Sequence, residues 1–265
     1  MLGLATAACG SGSGNGNAAN GAGSAHIILF AAASMAKVMP LEIAAFERAH
    51  PGATVDGDYE GTQSLLTKLQ ADPSSADVFL SADRSHMATA LHAGLVANPS
   101  DLALNRLVIA VAPGNPAHIT GIADLARPGV RLVLADHSVP AGSYAEQSLH
   151  AAEATGDAPG GSAAKALANV VSRETDVEAV VAKVGAGVAD AGIVYATDAA
   201  ANPGLAALAI PERDQPPSVY TIAVTTHARQ PAAAASFLAF LESPAGRRIL
   251  LRGGFVLPPT AVASP

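Results

Sequence analysis

The stretch Phe30-Ala31-Ala32-Ala33-Ser34 joins the apolar run His26-Ile27-Ile28-Leu29 to residues 35–50, where Val38, Met39, Ile43 and Phe46 fall on one side of a helix. A short apolar run followed by helical periodicity reads as buried strand, tight turn of small residues, then helix. Ser34 stands where an N-cap belongs. Small side chains at such a turn let a ligand approach the backbone. The free N–H groups of the first helical turn then favour an anion. A capping serine is also an ordinary feature of folded chains, so the weight of the reading comes from recurrence of the pattern.

It recurs. Strand-like runs cover 27–30, 55–59, 77–81, 106–112, 130–135, 191–195, 205–210 and 219–225, and helix-like segments cover 35–50, 63–71, 84–93, 142–155, 163–171, 178–184, 232–241 and 244–251. This alternation predicts an α/β fold with mainly parallel sheets. Two β-branched runs, Leu107-Val108-Ile109-Ala110-Val111 and Val219-Tyr220-Thr221-Ile222-Ala223-Val224, each carry turn chemistry at one end. They are positioned to join two lobes, with residues 26–106 and 225–265 forming the first lobe and 107–224 the second. A single doubly wound domain gives the same local pattern.

Composition narrows the function. The chain has 265 residues, a formal charge of -7 and a pI near 5.5, with no basic run, which argues against nucleic-acid binding. Half the residues are hydrophobic, yet no uncharged apolar run approaches the roughly 20 residues of a spanning helix. Tryptophan is absent and aromatics are 4%, which argues against an aromatic-lined sugar site. The lone cysteine, Cys9, excludes a disulfide framework. It follows Ala5-Thr6-Ala7-Ala8 and precedes a Gly/Ser/Asn/Ala stretch over 10–24, which looks like the end of a lipoprotein signal with lipidation at Cys9. Residues 1–25 then read as a signal remnant and tether. Thr6 stands where such signals usually have Leu, and a charged start and long apolar stretch are missing.

Ligands of α/β folds bind outside the carboxyl ends of strands, so the turns after strands are where chemistry is expected. Glu60-Gly61-Thr62-Gln63-Ser64, Val139-Pro140-Ala141-Gly142-Ser143 and Thr175-Asp176-Val177-Glu178 each open a helix, and Gly192-Ile193-Val194-Tyr195 ends a strand with a phenol. Together they offer hydroxyls, backbone N–H groups and a phenol, all uncharged donors. Asp77 and Asp83 flank a strand and read as structural, since nothing nearby completes an acid–base set. The histidines are scattered without metal-ligand spacing, and no nucleophile elbow or phosphate-binding Gly-Lys-Ser/Thr loop is present. No cofactor, catalytic residue or side-chain-ligated metal is expected.

Phe30-Ala31-Ala32-Ala33-Ser34, Asp77-Val78-Phe79-Leu80-Ser81-Ala82-Asp83, Val139-Pro140-Ala141-Gly142 and Gly192-Ile193-Val194-Tyr195 resemble, in that order, the motifs of molybdate-binding proteins, the extracytoplasmic receptors of molybdate ABC importers. The resemblance implies a two-lobed type II periplasmic-binding-protein fold that closes on its ligand by a hinge motion. It implies a monomer, tethered to the membrane only by a lipid anchor, that delivers molybdate or tungstate to a membrane permease. The site it implies consists of Ser34 and Thr62 from the first lobe, the backbone N–H groups of Ala141 and Val177 from the second, and the phenol of Tyr195. Thr62 stands where relatives often carry serine. Glu60 and Asp176 lie beside these donors and are expected to point away. The alternatives are a receptor for sulfate or another oxyanion, and an enzyme on the same two-lobed fold.

Overall fold

The computed structural model describes residues 25–259. Cys9 and the tether reading lie outside the described residues. The chain builds two five-stranded sheets, each flanked by helices. In chain order the first sheet takes β1 (Ala25–Ala32), β2 (Ala53–Glu60), β3 (Val78–Ser81) and β4 (Val96–Asn105). The second takes β5 (Leu107–Val111), β6 (Leu132–Ala135), β7 (Val170–Glu174), β8 (Ala191–Tyr195) and β9 (Ala206–Ala209). The chain then returns, and β10 (Ser218–Thr225) inserts antiparallel between β3 and β4 of the first sheet. The strand orders are β2-β1-β3-β10-β4 and β7-β6-β8-β5-β9.

This topology corrects one expected boundary. Residues 218–224 belong with the first sheet, so the return crossing lies at Gln215–Pro217 and not at 225. Each crossing is short. The outward one is a single residue, Arg106, between β4 and β5. Gln215 fastens the return crossing beside it: Leu107 N–H donates to Gln215 Oε1 (2.9 Å) and Gln215 Nε2 donates to the Leu107 carbonyl (2.9 Å).

The helices α1 (Met39–Ala49), α2 (Thr62–Ala71) and α3 (Arg84–His92) follow β1, β2 and β3. In the second half α4 (Pro140–Thr155) and α5 (Ser162–Ala168) connect β6 to β7, α6 (Val177–Gly185) connects β7 to β8, and α7 (Ala196–Ala200) follows β8. α8 (Pro231–Glu242) and α9 (Pro244–Arg252) pack back on the first sheet's side, against β10 and α1. The strand–turn–helix units put apolar strands such as Ile27, Leu29 and Ala31 at the core and leave the helix starts at the strands' carboxyl ends. Asp77 is structural as read: its carboxylate accepts from the backbone N–H groups of Ile28, Arg229 and Gln230. Asp83 caps α3 by accepting from His86 N–H (2.8 Å).

Two strands and one helix start differ from the sequence expectation. β4 carries Asn98, Pro99, Ser100 and Asp101, the residues of a turn, and is tolerated because it lies at the sheet edge, with β10 as its strand neighbour and a single bridge from Leu104 to Val256 on its other side. β7, also an edge strand, is half-exposed and polar at Ser172, Arg173 and Glu174. The helix expected from Met35 starts at Met39, after a single 3-10 turn at Ala33–Met35. Ser34 therefore lies inside that turn and caps no helix: neither the turn nor α1 has a side-chain cap.

Candidate functional site

The 3-10 turn and three helix starts meet where the two sheets face each other. Ser34, Thr62, Ala141, Val177 and Tyr195 all line one small cavity, so the structure brings together the whole set expected from the sequence. The rest of the lining, Ala32, Ala33, Gly61, Ala82, Val139 and Pro140, adds only small or apolar side chains. The cavity measures about 10 Å³. Open to the centre of a water-sized molecule, that volume corresponds to a sphere of roughly 2.7 Å radius once water's own ~1.4 Å is added back. A space that small excludes a sugar or an amino acid from the closed cleft.

Each donor is prepared by its local structure. Thr62 is the first residue of α2, and its Oγ1 already accepts from Ala82 N–H (3.2 Å), which leaves its proton to be donated. Ala141 is in the first turn of α4, whose first backbone bond is Ser143 N–H to the Val139 carbonyl. The N–H groups ahead of it have no acceptor within the helix. Pro140 at the start of α4 has no N–H to satisfy. Val177 opens α6 behind Asp176, whose carboxylate is spent on capping Ala179 N–H (2.9 Å). Gly142 allows the close packing at α4: a Cβ there meets the Asp136 carbonyl oxygen at 2.1 Å.

Ser34 Oγ bonds Tyr220 Oη at 2.7 Å. Tyr220 in turn receives the Asn105 amide at 3.5 Å. The amide is oriented by Arg106 N–H on its Oδ1 and by its own bond to Thr197 Oγ1 (2.8 Å). Tyr220 is thus set to donate to Ser34 and to leave the serine proton for the cavity. Burial pushes the Tyr220 phenol well above the ordinary tyrosine range, so it stays protonated. Nothing in the sequence singled out Tyr220 or Asn105: one sits within a β-branched strand and the other at a strand end. Their role arises only when β10 returns to lie beside β4.

Tyr195 ends β8 at the cavity wall, and its ring meets Tyr220 edge-on (5.7 Å between centroids). Its hydroxyl is fully buried and finds no hydrogen-bond partner among the described residues. Burial is the main cause that pushes its pKa far up, so the group is a neutral donor with nothing to donate to. Behind it, buried Asp198 accepts from Tyr195 N–H (3.2 Å) and is itself pushed well above the carboxylate range, first by burial and then by the charge of Glu178.

Among the described residues, no charged side chain lines the cavity. Glu60 turns outward to Lys68 (2.6 Å) and Asp176 caps α6, so both acids avoid the cavity as expected. The two halves also touch directly: Gln63 Nε2 donates to the Thr175 carbonyl (2.8 Å), and a Cβ on Gly61 meets the same oxygen at 2.4 Å. The cleft is closed in this structure.

The sequence profile of bacterial extracellular solute-binding proteins matches residues 27–256. This chain belongs to that family. The solute-binding protein is 38% identical over 261 residues to the molybdate-binding protein ModA of Mycobacterium tuberculosis, covering 97% of this chain and 95% of that one. The resemblance read from the four sequence motifs is therefore sound. Its fold superposes with a TM-score of 0.75 on the periplasmic molybdate-binding protein of Azotobacter vinelandii (21% identity, 88% of this chain and 99% of that one). It also superposes with a TM-score of 0.74 on the sulfate-binding protein SubI of Mycobacterium tuberculosis (20% identity, 90% and 89%). The two-lobed α/β architecture is that of periplasmic binding proteins, and membership places the chain outside the cytoplasm.

Proposed function

We propose that this solute-binding protein captures molybdate, with tungstate as an equivalent ligand, and presents it to the permease of an ABC importer. The observation that carries the reading is a small cavity between the two sheets that, among the described residues, is lined by neutral donors and no charged group, with one donor, Tyr195 Oη, buried and unpartnered. A fully ionised dianion has only acceptors and is matched by such a set. Neutral donors cost less to bury than cations and leave selection to size. A phosphate that retains a proton needs an acceptor. The carboxyl groups of Glu60 and Asp176 are turned away, and Thr62 Oγ1 already accepts from Ala82 N–H. The identity to ModA supports the same ligand. Sulfate is the rival, because the fold is equally close to a sulfate-binding protein and sulfate is also an acceptor-only dianion.

The roles given to Ser34, Thr62, Ala141, Val177 and Tyr195 are part of this proposal, as are action as a monomer and lipid anchoring through Cys9. Titration calorimetry of the ligand-free protein with molybdate, tungstate, sulfate and phosphate is the test. Tight binding of the first two and weak binding of the others is expected. Equal affinity for sulfate would overturn the molybdate reading. For the anchor, mass spectrometry of the N-terminal peptide from cells should find diacylglycerol on Cys9. An unmodified thiol on protein of the soluble fraction would dismiss it.

A further inference from the structure

A second space adjoins the oxyanion cavity and shares Ser34 with it. It is an open groove of about 520 Å³ between α1 and α9 on one side and α7 on the other, so it lies along a rim of the cleft between the lobes. Lys37, Arg48 and Arg252 line it, and among the described residues no carboxylate does. All three side chains are exposed, and none is in an ion pair among the described residues, although most other exposed cations in the chain are paired. Three unpaired cations converging from the turn before α1 (Lys37), from α1 (Arg48) and from α9 (Arg252) are unusual on a chain of formal charge -7. The two acids that couple to Lys37 do little to cancel it. Asp198 and Glu178 both sense its charge, and burial shifts each toward its neutral form.

The cavity itself has no charge with which to draw a dianion from a distance, and the net charge of the protein repels one. The groove supplies what both lack. Fields act over a Debye length of about 8 Å at physiological ionic strength, so charges must stand beside the site to be felt by an arriving ion. Cations inside the cavity would have to be stripped of water. Cations along its rim keep their hydration and act before the cleft closes.

Resting on the oxyanion reading above, we infer that Lys37, Arg48 and Arg252 form the mouth through which the anion reaches Ser34, and that they set its rate of capture without holding it in the closed site. Clefts lined by one sign of charge raise association rates by about 10- to 1000-fold, and steeply less so as salt rises. The roles are divided: charge outside for capture, neutral donors inside for retention.

The test is stopped-flow mixing of the full protein with molybdate, followed by tyrosine fluorescence, over a range of ionic strength. The triple variant Lys37→Gln, Arg48→Gln, Arg252→Gln is compared with the unmodified protein and with Lys37→Arg, Arg48→Lys, Arg252→Lys. The glutamine variant should associate about tenfold more slowly at low salt, lose most of its salt dependence and keep its dissociation rate. The charge-preserving variant should restore the rate. Single glutamine variants give the same reading in smaller steps should the triple variant fold poorly. An unchanged association rate, or a loss carried wholly by faster dissociation, would overturn this inference while leaving the ligand assignment intact. No binding of molybdate by the unmodified protein would instead overturn the assignment itself.

Discussion

Replacing Tyr195 by Phe removes one oxygen and should move two quantities in opposite senses. In the free protein the hydroxyl contributes nothing: in the closed arrangement it is buried without a partner, and in an opened one it has water. A buried unsatisfied hydroxyl costs about 1–3 kcal/mol, so its removal stabilises the closed form or leaves it unchanged. Phe keeps the edge-on contact with Tyr220, so packing is preserved. The ligand-free melting temperature should therefore hold steady or rise by a few degrees, at about 2–4 °C per kcal/mol for a chain of this size. With the oxyanion bound, the same hydroxyl donates to a charged acceptor, a bond worth about 1.5–3 kcal/mol. Its loss should weaken molybdate binding roughly 10- to 150-fold, mainly through faster release. Calorimetry and a thermal melt on one preparation decide it. Unchanged affinity would mean that Tyr195 does not reach the ligand. A melting temperature several degrees lower would mean that the hydroxyl has a structural partner, and the donor argument would fail.

Other substitutions probe other parts of the construction. Gly61→Ala puts a methyl 2.4 Å from the Thr175 carbonyl of the facing lobe. It should spare the fold but hinder closure, and small-angle scattering should show a smaller ligand-induced contraction than in the unmodified protein. Thr62→Ala should lose about tenfold or more in affinity and, by stranding Ala82 N–H, about 1–3 kcal/mol in stability, whereas Thr62→Ser should retain both. Glu42 on α1 is fully buried with both carboxyl oxygens unpartnered, and burial lifts its pKa from 4.5 to about 8. The folded state then holds a proton that the unfolded state has lost, so stability should be highest below pH 4.5 as far as this group is concerned. It should fall as pH rises towards 8, by on the order of 4 kcal/mol at about 1.4 kcal/mol per pH unit. Glu42→Gln should flatten that slope in thermal melts across pH 5–9, and an unchanged slope would exclude Glu42 as its source.

The sequence by itself determined the units of this protein. Strand, small-residue turn and helix can be read from local periodicity because each unit buries its own apolar stripe, and the helix starts come with the turns. All five proposed ligand donors lie in such turns or at a strand end, which is why they were legible. Tertiary structure decided what depends on partners distant in the chain. β10 reads as a strand anywhere, but only its pairing with β3 and β4 assigns it to the first sheet. The same pairing puts Tyr220 and Asn105 behind Ser34, across 186 and 115 residues of separation in their two bonds. β4 and β7 have no strand signature in the sequence, because edge strands satisfy fewer neighbours and can carry turn residues and charges. Ser34 lies in the turn the sequence indicates, but it does not cap a helix. A serine before a helix resembles a cap until the backbone inserts a 3-10 turn and Tyr220 takes its hydroxyl. The convergence of Lys37, Arg48 and Arg252 has no local signature at all, since α9 meets α1 only after the chain has returned through β10 and α8 to the first sheet's side.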